Sequence, residues 1–333
     1  MKASTLEGWH IMRALKYISL FSGIEAATVA WKPLGWKPVA YSEIDPFAKA
    51  VLAYHYPGVP DLGDMTEVDW REYRGTVDIV VGGSPCQAFS VAGLRKALDD
   101  PRGQLMLEYL RACAEIDPEW IVWENVPGVL SAERGRAFQS LLEGVAELWP
   151  NGGAAWRVLD AQFFGVAQRR RRVFLVVNTR DWRRAAPVLF ERESLYWDYQ
   201  SSAEARKAFA ERSNAGSSSS VDSTSRLQTL EHRVYCASDS GVHMSVGHDL
   251  VPTLTAHDGK SACFVNAPGA VRRLTPVECE RLQGFPDGYT DVPWRGVEHA
   301  PDSRRYKALG NSMAVPVMRW IGEGVELVAR SGL

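Results

Sequence analysis

The stretch Val77–Gln87, VDIVVGGSPCQ, decides how this chain is read. Val77-Asp78-Ile79-Val80-Val81 is a short, β-branched apolar run of the kind that becomes a buried strand. It ends in Gly82 and Gly83, and Ser84, Pro85, Cys86 and Gln87 follow at once. A core strand needs no such ending; a reactive group presented at a sheet edge does. Upstream, Tyr17–Phe21 and Val39–Ser42 are strand candidates, each followed by a helical pattern, Glu25–Trp31 and Pro46–Tyr54. Downstream, Gln104–Ile116 reads as a helix, Trp120–Trp123 as a strand running into Glu124-Asn125, and Glu133–Leu148 as an amphipathic helix. Trp156–Leu159 and Val173–Val177 read as further strands. Strands alternating with helices of this length imply crossover units, hence an α/β fold with a mostly parallel sheet. Such sheets bind ligands beyond the carboxyl ends of their strands. Ser22-Gly23, Glu43, Ser84–Gln87 and Glu124-Asn125 are all expected there.

The chain has 333 residues, 46% of them hydrophobic, enough for one large domain or two of ordinary size. Its net charge of -2 does not advertise a nucleic-acid partner, so such a role must rest on a local patch. Five scattered cysteines, with no Cys-x-x-Cys pair, argue against a disulfide scaffold or structural zinc, and no metal site is expected. The opening residues lack the apolar core of a signal peptide, and no apolar run would span a bilayer. The expectation is a cytoplasmic protein with no membrane partner. After about Asn178 the character changes. The chain turns polar, then low-complexity over Ser213–Ser225, SNAGSSSSVDSTS, which reads as a flexible segment. Arg233–Ala237 and Ala262–Val265 are β-like. Arg272–Gln283 is predicted helical, with Thr275, Pro276 and Glu278 as N-cap, first position and capping-box partner. Val315–Val328 is apolar at helical spacing.

Taken singly, each candidate has a plain explanation. Cys86 could be a small buried residue at a strand end; as a nucleophile it would need a site that lowers its pKa. Glu124 could be a solvated strand terminus, or a carboxyl beside the same cleft. Gln168-Arg169-Arg170-Arg171-Arg172, with Arg180, Arg183 and Arg184 after it, could be a solvated run. It is also the one dense basic cluster, the footprint a phosphate backbone needs. Alternation would put Gln168, Arg170 and Arg172 on one face. Phe21–Ala27, with Glu43 some twenty residues past Gly23, follows the general nucleoside-binding arrangement, an acid after the second strand holding ribose hydroxyls. Glu25 sits where a second glycine is usual. That disfavours a cofactor with pyrophosphate in this loop and suits one carrying a ribose but no phosphate.

In this order the stretches resemble the DNA (cytosine-5)-methyltransferase family, of the bacterial and phage, Dcm-like type. The resemblance runs through FSGIEAA (21–27), SEIDPFA (42–48), GDM (63–65), GGSPCQAFSVAG (82–93), DPRG (100–103) and ENVPGVL (124–130). It continues through FFGVAQRRRRVFLV (163–176), RRLTPVECERLQGFPDGY (272–289) and ALGNSMAVPV (308–317). It implies a Rossmann-like S-adenosylmethionine-dependent methyltransferase sheet with a smaller, β-rich target-recognition domain. Cys86 matches the cysteine that adds to carbon 6 of a flipped-out cytosine, whose carbon 5 then takes the methyl group. Glu124 matches the glutamate that bonds the ring, Arg172 the arginine beside base and cysteine, and Arg170 the arginine that supports the active-site loop. Phe21, Gly23, Ile24 and Glu25 match the cofactor loop, Glu43 the ribose acid, Asp64 the adenine contact, and Asn311 and Ser312 the closing contribution. DNA contacts are implied at Gln87, Ser90, Arg95, Lys96 and Gln168, with Leu94–Pro101 as a closing loop.

The implied division is a catalytic domain of residues 1–178 plus 304–333 and a target-recognition domain of residues 179–303. The implied partners are double-stranded DNA and, beside a restriction system, a separate cognate endonuclease; a monomer is expected. Three alternatives stand at this point. The same chemistry could act on tRNA, the chain could be a silent nucleic-acid-binding relative, or the fold could serve an NAD-dependent oxidoreductase.

Overall fold

The computed structural model describes residues 13–84, 104–190, 233–236, 245–248, 253, 263–267 and 270–331. Cys86, Gln87, Ser90, Arg95 and Lys96, the expected closing loop and the Ser-rich segment lie outside the described residues.

A six-stranded sheet is built from β1 (Lys16–Leu20), β2 (Lys37–Ser42), β3 (Ile79–Gly82), β4 (Trp120–Asn125), β5 (Gly153–Asp160) and β6 (Arg171–Asn178) in the order β2-β1-β3-β4-β6-β5. β1 to β4 pair in parallel. β6 runs antiparallel to both β4 and β5, with Asn125 opposite Val173 and Trp120 opposite Asn178. The mostly parallel expectation holds for four strands, and the reversed pair has a consequence for the site. Because β6 points the other way, its amino end lies at the carboxyl edge of β4. The residues that precede it, Arg170 among them, therefore reach the ligand-binding edge.

The period-2 pattern divides the core into two layers. Tyr17, Ile79, Val81, Trp120, Val122, Phe174 and Val176 face one layer. Ile18, Leu20, Val80, Ile121, Trp123, Val173, Leu175 and Val177 face the other. Both faces are covered, as a parallel sheet requires. Helices α3 (Gln104–Ile116) and α4 (Arg136–Leu148) cover the second layer. The first is covered by α1 (Ala26–Trp31), α2 (Pro46–His55), α5 (Ala185–Leu189), α6 (Pro276–Gln283), α7 (Asp302–Asn311) and α8 (Val315–Arg330). Among the described residues no helix is long and apolar enough to cross a membrane.

Three boundaries move from the sequence reading. Arg272 and Arg273 end strand β10 (Ala270–Arg273) rather than begin a helix. Thr275 precedes a proline, which holds it extended, and its hydroxyl accepts from the Glu278 backbone N–H, so α6 starts only at Pro276. α4 starts at Arg136, because Glu133, Arg134 and Gly135 all have positive φ. Two stretches of the expected 179–303 segment also enter the core. Ala185, Val188 and Leu189 on one side, and Leu274, Cys279, Leu282, Phe285, Tyr289, Val292 and Ala300 on the other, bury their side chains in the same layer as Ile24 and Trp31. Tyr289 also stacks on His55 at 4.1 Å and donates its hydroxyl to the Ile24 carbonyl. Between these passes, β7 (Arg233–Cys236), β8 (Ser245–His248), β9 (Cys263–Ala267) and β10 form a separate antiparallel sheet in the order β10-β9-β7-β8.

The last helix closes the first layer against α1. The Trp31 indole donates to the Met318 carbonyl at 2.8 Å, and a Cβ at Gly322 would lie 2.5 Å from the same indole. Trp31 is fully buried and has no room to yield. Gly322→Ala is expected to destabilise the protein by about 1–3 kcal/mol through overpacking, read as a lower denaturation midpoint with an unchanged slope.

Candidate active site

The carboxyl edge of the sheet opens into a cavity of about 450 Å³. Its walls come from the ends of all four parallel strands and from the approach to β6: Phe21, Glu43, Gly83, Glu124 and Arg172. The two glycines that end β3 have separate causes. A Cβ at Gly82 would lie 2.4 Å from the Leu20 carbonyl oxygen across the sheet, and a Cβ at Gly83 would lie 2.8 Å from Glu124 Oε2. The first glycine lets the strands pair; the second makes room for a carboxylate. Ser84 is then pinned. Its hydroxyl accepts from the Trp123 indole at 3.0 Å, and its carbonyl accepts from Asn125 Nδ2 at 3.0 Å. The end of β4 thus holds the end of β3 at Ser84, the last described residue before Pro85.

Glu124 pairs with Arg172, Nε to Oε1 at 3.0 Å, both side chains largely buried. Burial raises the Glu124 pKa, against the lowering effect of Arg172 and then Arg170. The group is held as a carboxyl that readily keeps a proton. Arg170 is buried and donates from Nη2 to the carbonyls of Gly310 and Ser312 at 3.1 and 2.6 Å. It braces the turn between α7 and α8 against the sheet edge. Burial first, and then Arg172, lowers the Arg170 pKa.

The cofactor-loop residues divide between two hollows. Phe21, Gly23, Ile24, Glu43, Asp64 and Asn311 line the large cavity. Glu43 is already organised: Oε2 accepts from Gly23 N at 2.7 Å, and Oε1 from Ile44 N and Asp45 N at 2.8 and 2.7 Å. Glu25 and Ser312 line a smaller cleft of about 40 Å³ that shares Phe21, Gly23, Gly83, Glu124 and Asn311 with the cavity. The loop between β1 and α1 bends through three left-handed residues, Phe21, Gly23 and Glu25, with φ of 52°, 56° and 65°. Two of these are not glycine, and such backbone is costly unless its surroundings hold it. Glu25 is 1% exposed and caps α1, Oε1 accepting from Thr28 N and Oγ1 at 3.0 and 3.1 Å.

The arginine cluster does not stay a cluster. Arg180 pairs with Asp117, Arg183 with Asp181, and Arg184 with Glu119, at the end of β6 remote from the cavity. Arg169 and Arg171 are the two exposed residues of the Gln168–Arg172 run. Gln168, expected against DNA, is 0% exposed and donates to the Leu282 carbonyl at 3.1 Å, so it joins α6 to the sheet edge. Alternation identified the shared face correctly, but that face points inward. The sequence reading missed Ile44, 70% exposed on the cavity wall, and Lys307, paired with Asp45 at 3.1 Å. An exposed apolar residue directly after the ribose acid was the available signal for Ile44. Among the described residues no three His, Cys, Asp or Glu side chains group as a metal site.

Burial pushes the Glu25 pKa up from 4.5 to about 7. The folded chain therefore keeps a proton that the unfolded chain loses between those values, and stability falls as pH rises through this window. Glu25→Gln preserves the Oε1 acceptor for Thr28. The melting midpoint of the variant is expected to exceed that of the wild type at pH 8 and to converge with it below about pH 4.5. Parallel midpoints across that range would remove the buried acid from the account.

The family model for C-5 cytosine-specific DNA methylase matches residues 15–326. A protein of Escherichia phage P1, described as a DNA N-6-adenine-methyltransferase, is 35% identical over 464 aligned positions, covering 94% of this chain and 61% of its own length. The chain thus spans about three fifths of that relative. The type II methyltransferase M.HhaI of Haemophilus parahaemolyticus is 26% identical over 94% of this chain and 95% of its own. The crystal structure of the S. pombe Dnmt2 methyltransferase has the same fold, with a TM-score of 0.65 over 94% of this chain and 99% of that one at 16% identity. The match over nearly the whole chain is to one family, and the chain belongs to it: the C-5 cytosine-specific DNA methylases, whose methyl donor is S-adenosylmethionine.

Proposed function

We propose that this chain methylates carbon 5 of a flipped-out cytosine at a short specific motif in double-stranded DNA, with Cys86 as nucleophile. The observation that carries the reading is the Glu124–Arg172 pair on the cavity wall, at the strand end beside Ser84. Cys86 follows Ser84 by two residues, at most about 7 Å of chain. The cavity suits the donor. Its volume of about 450 Å³ lies within the roughly 300–1,000 Å³ of small-molecule pockets. Glu43 offers carboxylate oxygens for ribose hydroxyls, Ile44 an apolar surface for adenine, and Asp64 an acceptor for its amine. The described loop between β1 and α1 has one glycine, Gly23, where a phosphate-binding loop has several, and this donor needs no more.

Bound there, S-adenosylmethionine supplies an electrophilic methyl group. Carbon 5 of cytosine is a poor nucleophile, so the ring has to be activated from the protein side. The Cys86 thiolate adds to carbon 6, and the electron pair of the 5,6 double bond becomes available at carbon 5 for methylation. Glu124, disposed to keep a proton, donates to nitrogen 3 and accepts from the exocyclic amine, which draws electrons away from carbon 6. Arg172 holds Glu124 in place and lies beside the ring. Loss of the carbon 5 proton to a base then expels Cys86 and restores aromaticity. Arg170 acts through the α7–α8 turn as a positioning residue. Flipping the base costs a few kcal/mol, offset by phosphate contacts, for which exposed Arg169 and Arg171 join Arg95 and Lys96.

The domain division that best suits these contacts gives the catalytic unit residues up to about 190 and from about 274, with target recognition in the segment between. The chain acts as a monomer, alone or beside a separate endonuclease. A second reading, an adenine target, is favoured by the name of the phage P1 relative. The exocyclic nitrogen of adenine needs no covalent activation, which would leave Cys86 idle. Base-resolution mapping of both 5-methylcytosine and N6-methyladenine, in DNA from a methylation-free host expressing the chain, separates the two. Cytosine methylation at one motif is expected, abolished by Cys86→Ala, which should still bind the donor. Methylated adenine, or activity retained in the variant, overturns the reading.

A finer test addresses the strand end. Gly83→Ala puts a methyl group against Glu124 Oε2. Misplacement by about 1 Å can cost on the order of 100-fold in rate, so methyl transfer is expected to fall by at least about tenfold while the melting midpoint changes little. Wild-type turnover in this variant would show that the position of Glu124 is unimportant.

A further inference from the structure

We propose that Glu25 is the counter-charge for the ammonium group at the methionine end of S-adenosylmethionine, accepting from it through Oε2 in the small cleft beside the main cavity. This rests on the cofactor reading above and adds a residue-level assignment to it. Glu25 is 1% exposed, and its two oxygens differ. Oε1 is occupied by the backbone and hydroxyl of Thr28. Oε2 is buried and makes no hydrogen bond of good geometry among the described residues, although the Ser19 side chain lies close enough to favour the ionised carboxylate. A buried carboxylate oxygen left in this way is costly unless a donor arrives.

Among the described residues, no cation acts on Glu25. The charged neighbour that acts on Glu25 is Glu43, a like charge at the end of β2. Ser19 from β1 and Thr28 from α1 favour its ionised form without outweighing burial. The Tyr17 and Tyr41 hydroxyls bond Thr28 Oγ1 at 2.6 and 2.9 Å, and Tyr56 and Tyr289 complete the ring of groups that feel its charge. The arginines of the site are engaged elsewhere, Arg172 with Glu124 and Arg170 with the Gly310 and Ser312 carbonyls.

The shape of the cleft selects what enters. Its volume of about 40 Å³ exceeds the roughly 10–15 Å³ that a single water needs, so an ammonium group fits within it. Orientation follows from the two fixed ends of the large cavity. The ribose goes to Glu43, and the reactive methyl has to face Glu124 and Arg172. The amino-acid end is then the part left to reach the cleft, which opens off the cavity through Phe21, Gly23 and Asn311. The left-handed backbone at Glu25 turns the side chain inward here, where a glycine would leave the cleft without charge.

With its pKa pushed up to about 7, Glu25 is partly protonated in the free protein at neutral pH. Pairing with an ammonium requires the ionised form, so binding should release a proton. The test is calorimetric titration of the full chain near pH 7 in buffers of different ionisation enthalpy. S-adenosylhomocysteine, which keeps the amino-acid end, is compared with 5′-methylthioadenosine, which lacks it. A substantial fraction of a proton is expected to leave on binding the first and none on binding the second. In Glu25→Gln the release should vanish and S-adenosylhomocysteine should bind roughly 10- to 100-fold more weakly, with methylthioadenosine affinity unchanged. Unchanged affinity or undiminished release in the variant overturns the assignment. Proton uptake by the wild type also overturns it, because a neutral Glu25 would then be donating to the ligand carboxylate. Should the variant fail to fold, the wild-type proton count alone decides. If neither ligand binds the wild type, the cofactor reading itself has failed, and this is distinguishable because an error at Glu25 alone leaves methylthioadenosine binding intact.

Discussion

A guanidinium buried at the carboxyl edge of the sheet holds the site together. Arg170 enters just before β6 and bonds the carbonyls on either side of Asn311, so it ties the sheet to the turn that joins the last two helices. Its charge is expensive to bury. Two carbonyls of that turn and the nearby Glu124 carboxylate make it tolerable. The arrangement demands that β6 run against β4, since a parallel strand would deliver its leading residues to the opposite edge. The antiparallel pair in an otherwise parallel sheet is thus a requirement of the site and not an irregularity of the fold. Arg172, two residues on, reaches Glu124 by the same route.

Much of this was legible in the chain, and the legible part has a common cause. Buried parallel strands are apolar throughout and end abruptly in glycine or polar residues, so each strand end announced itself: Ser22-Gly23, Glu43, Gly82-Gly83 and Glu124-Asn125. The capping box at Thr275 and Glu278 was equally plain, because its signal is local. What stayed hidden depends on partners distant in sequence. Asp181 is in plain view beside Arg180 and Arg183, but nothing near Arg180 and Arg184 says that Asp117 and Glu119 pair with them, so a set of ion pairs read as unopposed charge. Gln168 shared a face with two arginines, but whether that face points to solvent or to Leu282 is a tertiary fact. α7 has few apolar residues in Asp302–Asn311 and gave no periodic signal of its own.

Glu25 illustrates the same limit from the other side. In the sequence it is a departure from a glycine-rich loop and reads as a defect. In the structure it caps α1, carries a left-handed backbone and lines the cleft with one buried oxygen left without a well-formed hydrogen bond among the described residues. Local rules fail most informatively where the chain accepts strain, and three left-handed residues in five mark this loop as such a place.

The two passes of chain that flank the second sheet, Ala185–Leu189 and Leu274 onward, are each anchored in the same core layer. The described residues at either end of the intervening segment are therefore held by the core of the six-stranded sheet. What happens at those ends is decided by the packing of the six-stranded sheet, and that packing has little slack: a methyl at Gly322 meets the buried Trp31 indole, and one at Gly83 meets the Glu124 carboxylate.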